Sequence, residues 1–255
     1  MMEDKCPNGC IDGYYVDPYT HKKVICQHCL EKRRKEANTA DIQEKLNLPP
    51  SLCGSNYAPE AIIPPNARKH LEEESVKAVL AKCQEVLQNL SIGELPTESM
   101  LFNFGAKCKD NNFVAPLMRK AYASGLSLTR VLTPIDIMKS RRCYSQGIKD
   151  EDAVDYEEIL SKQVCVIIID AGTMYEELLA IKGVMQLRGL RNLPTILVTH
   201  LWNKSVAQLF SEDNESLYNL ATLYSIQYNK TAEQGIESSG RLTLDEFKEH
   251  KNFGV

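Results

Sequence analysis

From residue 100 onward, short apolar runs alternate with longer stretches in which apolar positions recur about every 3.6 residues. The runs Met100–Gly105, Leu126–Thr133, Gln163–Asp170, Thr195–His200 and Ala221–Tyr228 predict strands. Between them, Asn112–Ser124, Met174–Gly189 and Asn203–Asn219 are long enough for crossover helices. This alternation predicts an α/β fold with a parallel sheet covered on both faces. The run VCVIIID, ending at Asp170, is apolar without alternation, as a strand buried on both sides should be. Pro116 falls inside the first of these helices, where it removes a backbone donor and is expected to kink or delay it.

Upstream, two Pro-Pro pairs at Pro49-Pro50 and Pro64-Pro65 precede a helical pattern from Asn66 to Leu90. Its apolar positions Leu71, Val76, Val79, Leu80, Cys83, Val86 and Leu87 mark one buried face, and Ser91, Gly93 and Pro96 stop it. Four regions follow: 1–47, cysteine-bearing with a basic helix; 48–98, a connector and helix; 99–230, the α/β domain; and 231–255, a polar tail with a weak helix around Leu244–His250.

Composition narrows the class. The chain has 255 residues, 43% of them hydrophobic and 25% charged, which is ordinary for a water-soluble protein. No run approaches the roughly 20 apolar residues that span a membrane, and the N-terminus lacks a signal-peptide core, so a cytoplasmic protein without a membrane partner is expected. The net charge of −4 argues against wholesale coating of nucleic acid.

Four of the nine cysteines form two knuckles, Cys6-x₃-Cys10 and Cys26-x₂-Cys29, separated by fifteen residues. Paired thiolates at this spacing suit a tetrahedral Zn²⁺ site, and a segment this small has little core to fold around without one. Gly9 and Gly13 supply tight turns, and His21 and His28 lie near enough to act as substitute ligands, although four cysteines suffice. Tyr14, Tyr15, Lys22 and Lys23 lie between the knuckles and Lys32–Lys35 follow them, a mixture that could stack on single-stranded nucleic acid. Residues 1–47 nevertheless carry eight acidic and eight basic side chains, so protein docking is equally open. Cys53, Cys83, Cys108, Cys143 and Cys165 read as small apolar residues.

The segment after the first strand stands where a phosphate-binding loop belongs. A working loop reads G-x-x-x-x-G-K-[ST], in which glycines admit phosphate to backbone N–H groups, lysine reaches the outer phosphates and a hydroxyl holds Mg²⁺. Counted from Gly105, this chain offers Asp110, Asn111 and Asn112 at those last three positions. A carboxylate repels triphosphate, and two amides replace neither the charge nor the metal ligand. Asp170 occupies the place of a second Mg²⁺-binding aspartate, but Ala171 follows it where an ATPase carries glutamate.

With these features in order, nearly the whole chain resembles the DnaC/DnaI-type helicase loaders and the related IstB-like transposition helpers of the AAA+ superfamily. The segment LNLPPSLCGSNY is similar to the family's proline-bearing connector, and LRGLRNLPTILVTHL to its arginine-bearing turn, with Arg188 and Arg191, leading into the sensor strand. The sensor position reads His200, beside Trp202, and no arginine occurs between Arg191 and Arg241 where the family keeps its arginine finger. The resemblance therefore implies a P-loop domain that is not an ATPase and does not require ATP or Mg²⁺. It further implies a zinc-bearing, DNA-replication protein that binds a hexameric replicative helicase and promotes its loading onto single-stranded DNA. In this reading the helicase-binding surface lies on a helix around Leu30–Leu46, and Lys139, Arg141 and Arg142 meet DNA phosphates. A loader of this kind suits a phage with its own replication module, and self-association is left open. The alternatives are a regulator that blocks loading, an IstB-like adaptor in recombination or transposition, and a variant loop that still uses nucleotide.

Overall fold

The computed structural model describes residues 6, 10, 14–17, 21–37, 39–48, 62–63, 65–104, 111–169, 173, 175–199 and 220–227. Gly9, Gly13, the connector residues 49–61 with Cys53, Gly105, Cys108, Asp110, Asp170, Ala171, His200, Trp202, the expected helix Asn203–Asn219 and the tail 231–255 lie outside the described residues.

Four short parallel strands, β3 (Met100–Asn103), β4 (Val166–Ile169), β5 (Ile196–Thr199) and β6 (Thr222–Ser225), form the central sheet in the order β4-β5-β3-β6. They match four of the five expected runs. Along each strand neighbouring residues face opposite cores. Met100, Phe102, Val166, Ile196 and Val198 enter one cluster, and Leu101, Ile167, Ile169 and Leu197 enter the other. Two apolar faces explain why these runs lack alternation.

The first face is covered by α4 (Glu73–Ser91) and α5 (Asn111–Ala123), the second by α6 (Pro134–Gln146), α7 (Tyr156–Ser161) and α8 (Tyr175–Leu190). On α4 the buried positions Val76, Val79, Cys83, Val86, Leu87 and Leu90 form the expected stripe. Between the sheet and α5, Phe102, Phe104, Phe113 and Tyr224 pack with ring centroids 4.9–6.1 Å apart. Burying rings of this size is a large share of the core's apolar stabilisation. The helix α5 continues through Pro116, which is buried within it.

Two elements differ from the sequence pattern. The helix expected from Asn66 to Leu90 is broken into α3 (Pro65–Arg68) and α4. At the break the N–H of Glu72 donates to the carbonyl of Gln227, a tertiary bond that periodicity cannot register. The run Leu126–Thr133 is not a regular strand and makes only isolated parallel bridges, Leu128 to Val164 and Leu132 to Ile167. The N–H groups of Thr129 and Leu132 donate to Val164 and Val166, so three steps on this segment span two on β4. The extra residue is a bulge, and Val131 turns its N–H outward to Leu46 instead. This segment extends the sheet beyond β4.

The N-terminal residues form an antiparallel hairpin, β1 (Tyr14–Val16) with β2 (Lys23–Ile25), then α1 (Gln27–Glu36) and α2 (Ala40–Lys45). The single helix expected over Leu30–Leu46 is therefore two. Thr39 starts the second by accepting the N–H of Ile42 on its side chain. Ile42, Leu46 and Leu48 join the same core as α4 and the sheet.

Candidate metal centre and switch-point crevice

Cys10 precedes β1, Cys26 follows β2 as the N-cap of α1, and Cys29 lies in the first turn of that helix. The hairpin thus folds one knuckle back over the other. The Sγ atoms of Cys6, Cys10, Cys26 and Cys29 all lie within 4.8 Å of one another, with Cys6–Cys26 at 3.6 Å and Cys10–Cys29 at 3.1 Å. A tetrahedral ion at metal–sulfur distances of about 2.3 Å separates its ligands by about 3.8 Å, so the donor set fits a thiolate-bound metal. These separations are far beyond a disulfide bond of about 2.05 Å. Contact with the Cys29 thiol, followed by that with Cys6, pushes the Cys10 thiol well above the ordinary thiol range. Four thiols in contact cannot all ionise without a cation among them, and a bound cation reverses that preference. His21 and His28 are exposed, and the described metal-ligating cluster consists of the cysteines alone.

The module is seated on the α/β domain at one peptide group. Tyr14 Oη and Arg33 Nη1 both donate to the carbonyl oxygen of Gly125, at 3.1 and 3.0 Å. Gly125 has φ +89°, and a Cβ there would meet Leu30 Cδ1 at 3.3 Å. The Arg33 guanidinium also lies over the Tyr122 ring, 5.6 Å from its centroid, while Tyr122 Oη donates to Glu36. Burial, with Glu36 adding to it, raises the Tyr122 phenol above its usual range.

The second candidate region follows from the sheet order. The chain leaves β3 towards the β4 side and leaves β5 for β6 on the opposite side of β3. The crevice beyond the carboxyl ends of β3 and β5 is therefore the topological switch point, where open α/β sheets bind ligands. The expected phosphate loop adjoins it, but of that loop only Asn111 and half-buried Asn112, which open α5, are described. At the strand ends Asn103 and Thr199 are fully buried, and Asn103 Nδ2 donates to Ser225 Oγ at 3.0 Å. These three residues are in register across β5, β3 and β6, and the Thr199 hydroxyl has no hydrogen-bond partner among the described residues. Sequence reasoning passed over this polar row. Its signal was that the runs MLFN, ILVT and TLYS each end on a polar residue.

Lys139, Arg141 and Arg142, which follow the second apolar run, lie on α6. Lys139 pairs with Asp150 at 3.0 Å and approaches Asp152 at 4.0 Å. Arg141 and Arg142 are exposed, and Arg142 Nε donates to Gln146.

Arg188 has a structural assignment. Its fully buried guanidinium donates to Thr195 Oγ1 and to the carbonyls of Ile159, Lys162, Gln163 and Pro194, at 2.7–3.3 Å. Burial lowers its pKa, yet five acceptors around a fork of N–H donors favour the cation. Arg191 reaches Glu157 on the surface at 3.3 Å. Cys83 and Cys165 are buried, and burial pushes both thiols up, as expected of inert core cysteines.

Among the described residues no helix is long and apolar enough to cross a membrane. No protein-family model and no curated protein matches the chain. Solved structures similar to it include a putative primosome component from Streptococcus pyogenes serotype M3, at 14% identity and TM-score 0.41, covering 64% of this chain and 87% of that one. The DnaC helicase loader matches at 20% identity and TM-score 0.43, covering 62% and 93%, and DnaI at 14% and 0.40, covering 58% and 81%. The chain is similar to these solved structures at low sequence identity.

Proposed function

We propose that this chain is a DNA-replication accessory protein that binds the replicative helicase and promotes its loading onto single-stranded DNA without hydrolysing ATP. The observation that carries the reading is one combination. A four-thiol module is seated on a switch-point α/β domain whose phosphate loop reads Asp110, Asn111 and Asn112 where glycine, lysine and a hydroxyl are needed.

Zn²⁺ is the ion we assign to Cys6, Cys10, Cys26 and Cys29, because a closed set of four thiolates is the donor set of structural zinc. Bound there, the ion neutralises thiolate charge and fixes the hairpin against α1. The loop carries Asn111 and Asn112 at the positions of the Walker lysine and hydroxyl, so tight Mg²⁺–ATP binding is not expected. Exposed Arg141 and Arg142 support weak, sequence-independent DNA contact. Lys139, held by Asp150, contributes little to it.

The test is size-exclusion chromatography of the full chain with its cognate replicative helicase, without nucleotide, with zinc quantified in each fraction. Co-elution in a zinc-bearing complex is expected, and separate elution overturns the helicase reading. A loading assay on primed, protein-coated single strands then separates a loader from an inhibitor.

A further inference from the structure

The two longest helices of the α/β domain cover opposite faces of the sheet, and their outward sides differ. On α4 the exposed positions include Glu73, Glu74, Lys77, Gln84, Glu85 and Gln88, a polar surface suited to water. The sheet side of α8 is apolar, with Leu178, Ile181, Val184 and Met185 buried in the second core. Its outward side is apolar too: Leu179, Leu187 and Leu190 are 44, 40 and 83% exposed. A helix at a protein surface normally turns polar residues outward, so a second apolar stripe marks a contact face.

That stripe is complementary to itself. Leu179, Gly183 and Leu187 are each four residues apart, which sets them in one row on the helix surface, and Leu190 prolongs it. Gly183 is the midpoint, about 6 Å along the axis from either leucine. A Cβ there would meet nothing within 4 Å, so the backbone is open to close approach. Two antiparallel copies crossing at Gly183 set Leu179 of each against Leu187 of the other. The same two-fold axis brings exposed Glu176, seven positions before the glycine, to Arg191 of the second copy, eight positions after it. Arg191 also faces Glu157 of its own chain, and half-buried Lys182 lies on the other flank. These four charges sum to zero, so the face attracts neither a phosphate backbone nor a basic segment, while a copy of the same surface meets leucine with leucine.

We propose that α8 docks against α8 of a second copy of this chain, antiparallel and crossing at Gly183. An isologous contact of this kind closes on itself and stops at the dimer. The stripe is one helix wide, so the interface is small and its dissociation constant lies on the order of 10–100 μM. The proposal does not depend on the helicase reading, because it rests on α8 alone.

The experiment is sedimentation velocity of the full, zinc-loaded chain from about 1 to 200 μM, a range that brackets the expected constant. A reversible monomer–dimer equilibrium is expected. Leu179→Arg alone and Leu187→Asp alone should each weaken it at least about tenfold, by placing a charge against leucine twice per dimer. An equimolar mixture of those two variants should recover the dimer. In the antiparallel register the introduced arginine faces the introduced aspartate, and the two untouched leucines still meet. Gly183→Glu should abolish association by setting two carboxylates at the crossing. It should not lower the melting temperature of the dilute monomer, because glutamate is a better helix former than glycine. A chain that stays monomeric overturns the proposal; if Leu187→Asp then also lowers its melting temperature, the stripe is covered from within the same chain. Dimers that survive Gly183→Glu, or a mixture that stays monomeric, overturn it as well.

Discussion

The guanidinium of Arg33 donates to the carbonyl oxygen of Gly125 at 3.0 Å across 92 positions of sequence. Tyr14 donates to the same oxygen, so one peptide group of the α/β domain holds both the hairpin and the helix of the cysteine module. The contact needs glycine, because φ +89° and Leu30 at 3.3 Å leave no room for an unstrained side chain. Gly125→Ala is expected to cost about 1–2 kcal/mol in a left-handed conformation, lowering the melting temperature by about 2–8 °C. Calorimetry measures the loss, and faster proteolysis between module and domain is expected alongside it.

Removing a ligand acts on the module before the sheet. Cys26→Ser is expected to abolish stoichiometric zinc and to unfold the hairpin, since the buried thiol completes the four-sulfur set from the N-cap position of α1. Metal analysis should fall to background while the α/β domain keeps its cooperative thermal transition. Retention of one zinc per chain would count against the assigned ligand set.

Arg188→Ala removes five donated hydrogen bonds and leaves four buried or half-buried carbonyls without that partner. Loss of a buried network of this kind should cost at least about 3 kcal/mol in chemical denaturation. Arg188→Lys should recover only part of that loss, because a single ammonium cannot reproduce the planar fork.

Nucleotide should leave the chain unchanged. Isothermal titration with Mg²⁺–ATP is expected to give no stoichiometric complex of micromolar affinity, and phosphate release should stay at the uncatalysed rate. Such a complex would overturn the proposed loss of the phosphate loop.

The Lys139–Asp150 pair predicts both a DNA phenotype and a pH effect. Asp150 is held below its usual range, chiefly by Lys139, so its contribution is present above the unfolded carboxylate pKa and disappears as pH falls through the lower folded value. Asp150→Asn should remove that acid-limb dependence in thermal melts. Any weak DNA binding should decline with Arg141→Ala and Arg142→Ala, each lowering the salt slope by about 1, and should change little with Lys139→Ala.

The sequence by itself determined the parallel sheet, the buried stripe of α4 and the four-thiol set. These are local signals: a doubly buried strand must be apolar throughout, an amphipathic helix must repeat its apolar positions, and metal ligands must come in closely spaced pairs. The polar ends of the strands at Asn103, Thr199 and Ser225 were legible too, although their register was not. Tertiary structure alone decided that Arg188 is a buried clamp, that Gly125 seats the module and that Lys139 is held by Asp150. It also split the helix before Glu73 and bulged the segment after Thr129, because Gln227 and Leu46 supply partners from distant positions. A residue's type limits the bonds it can make, but only the fold brings up the group that satisfies them.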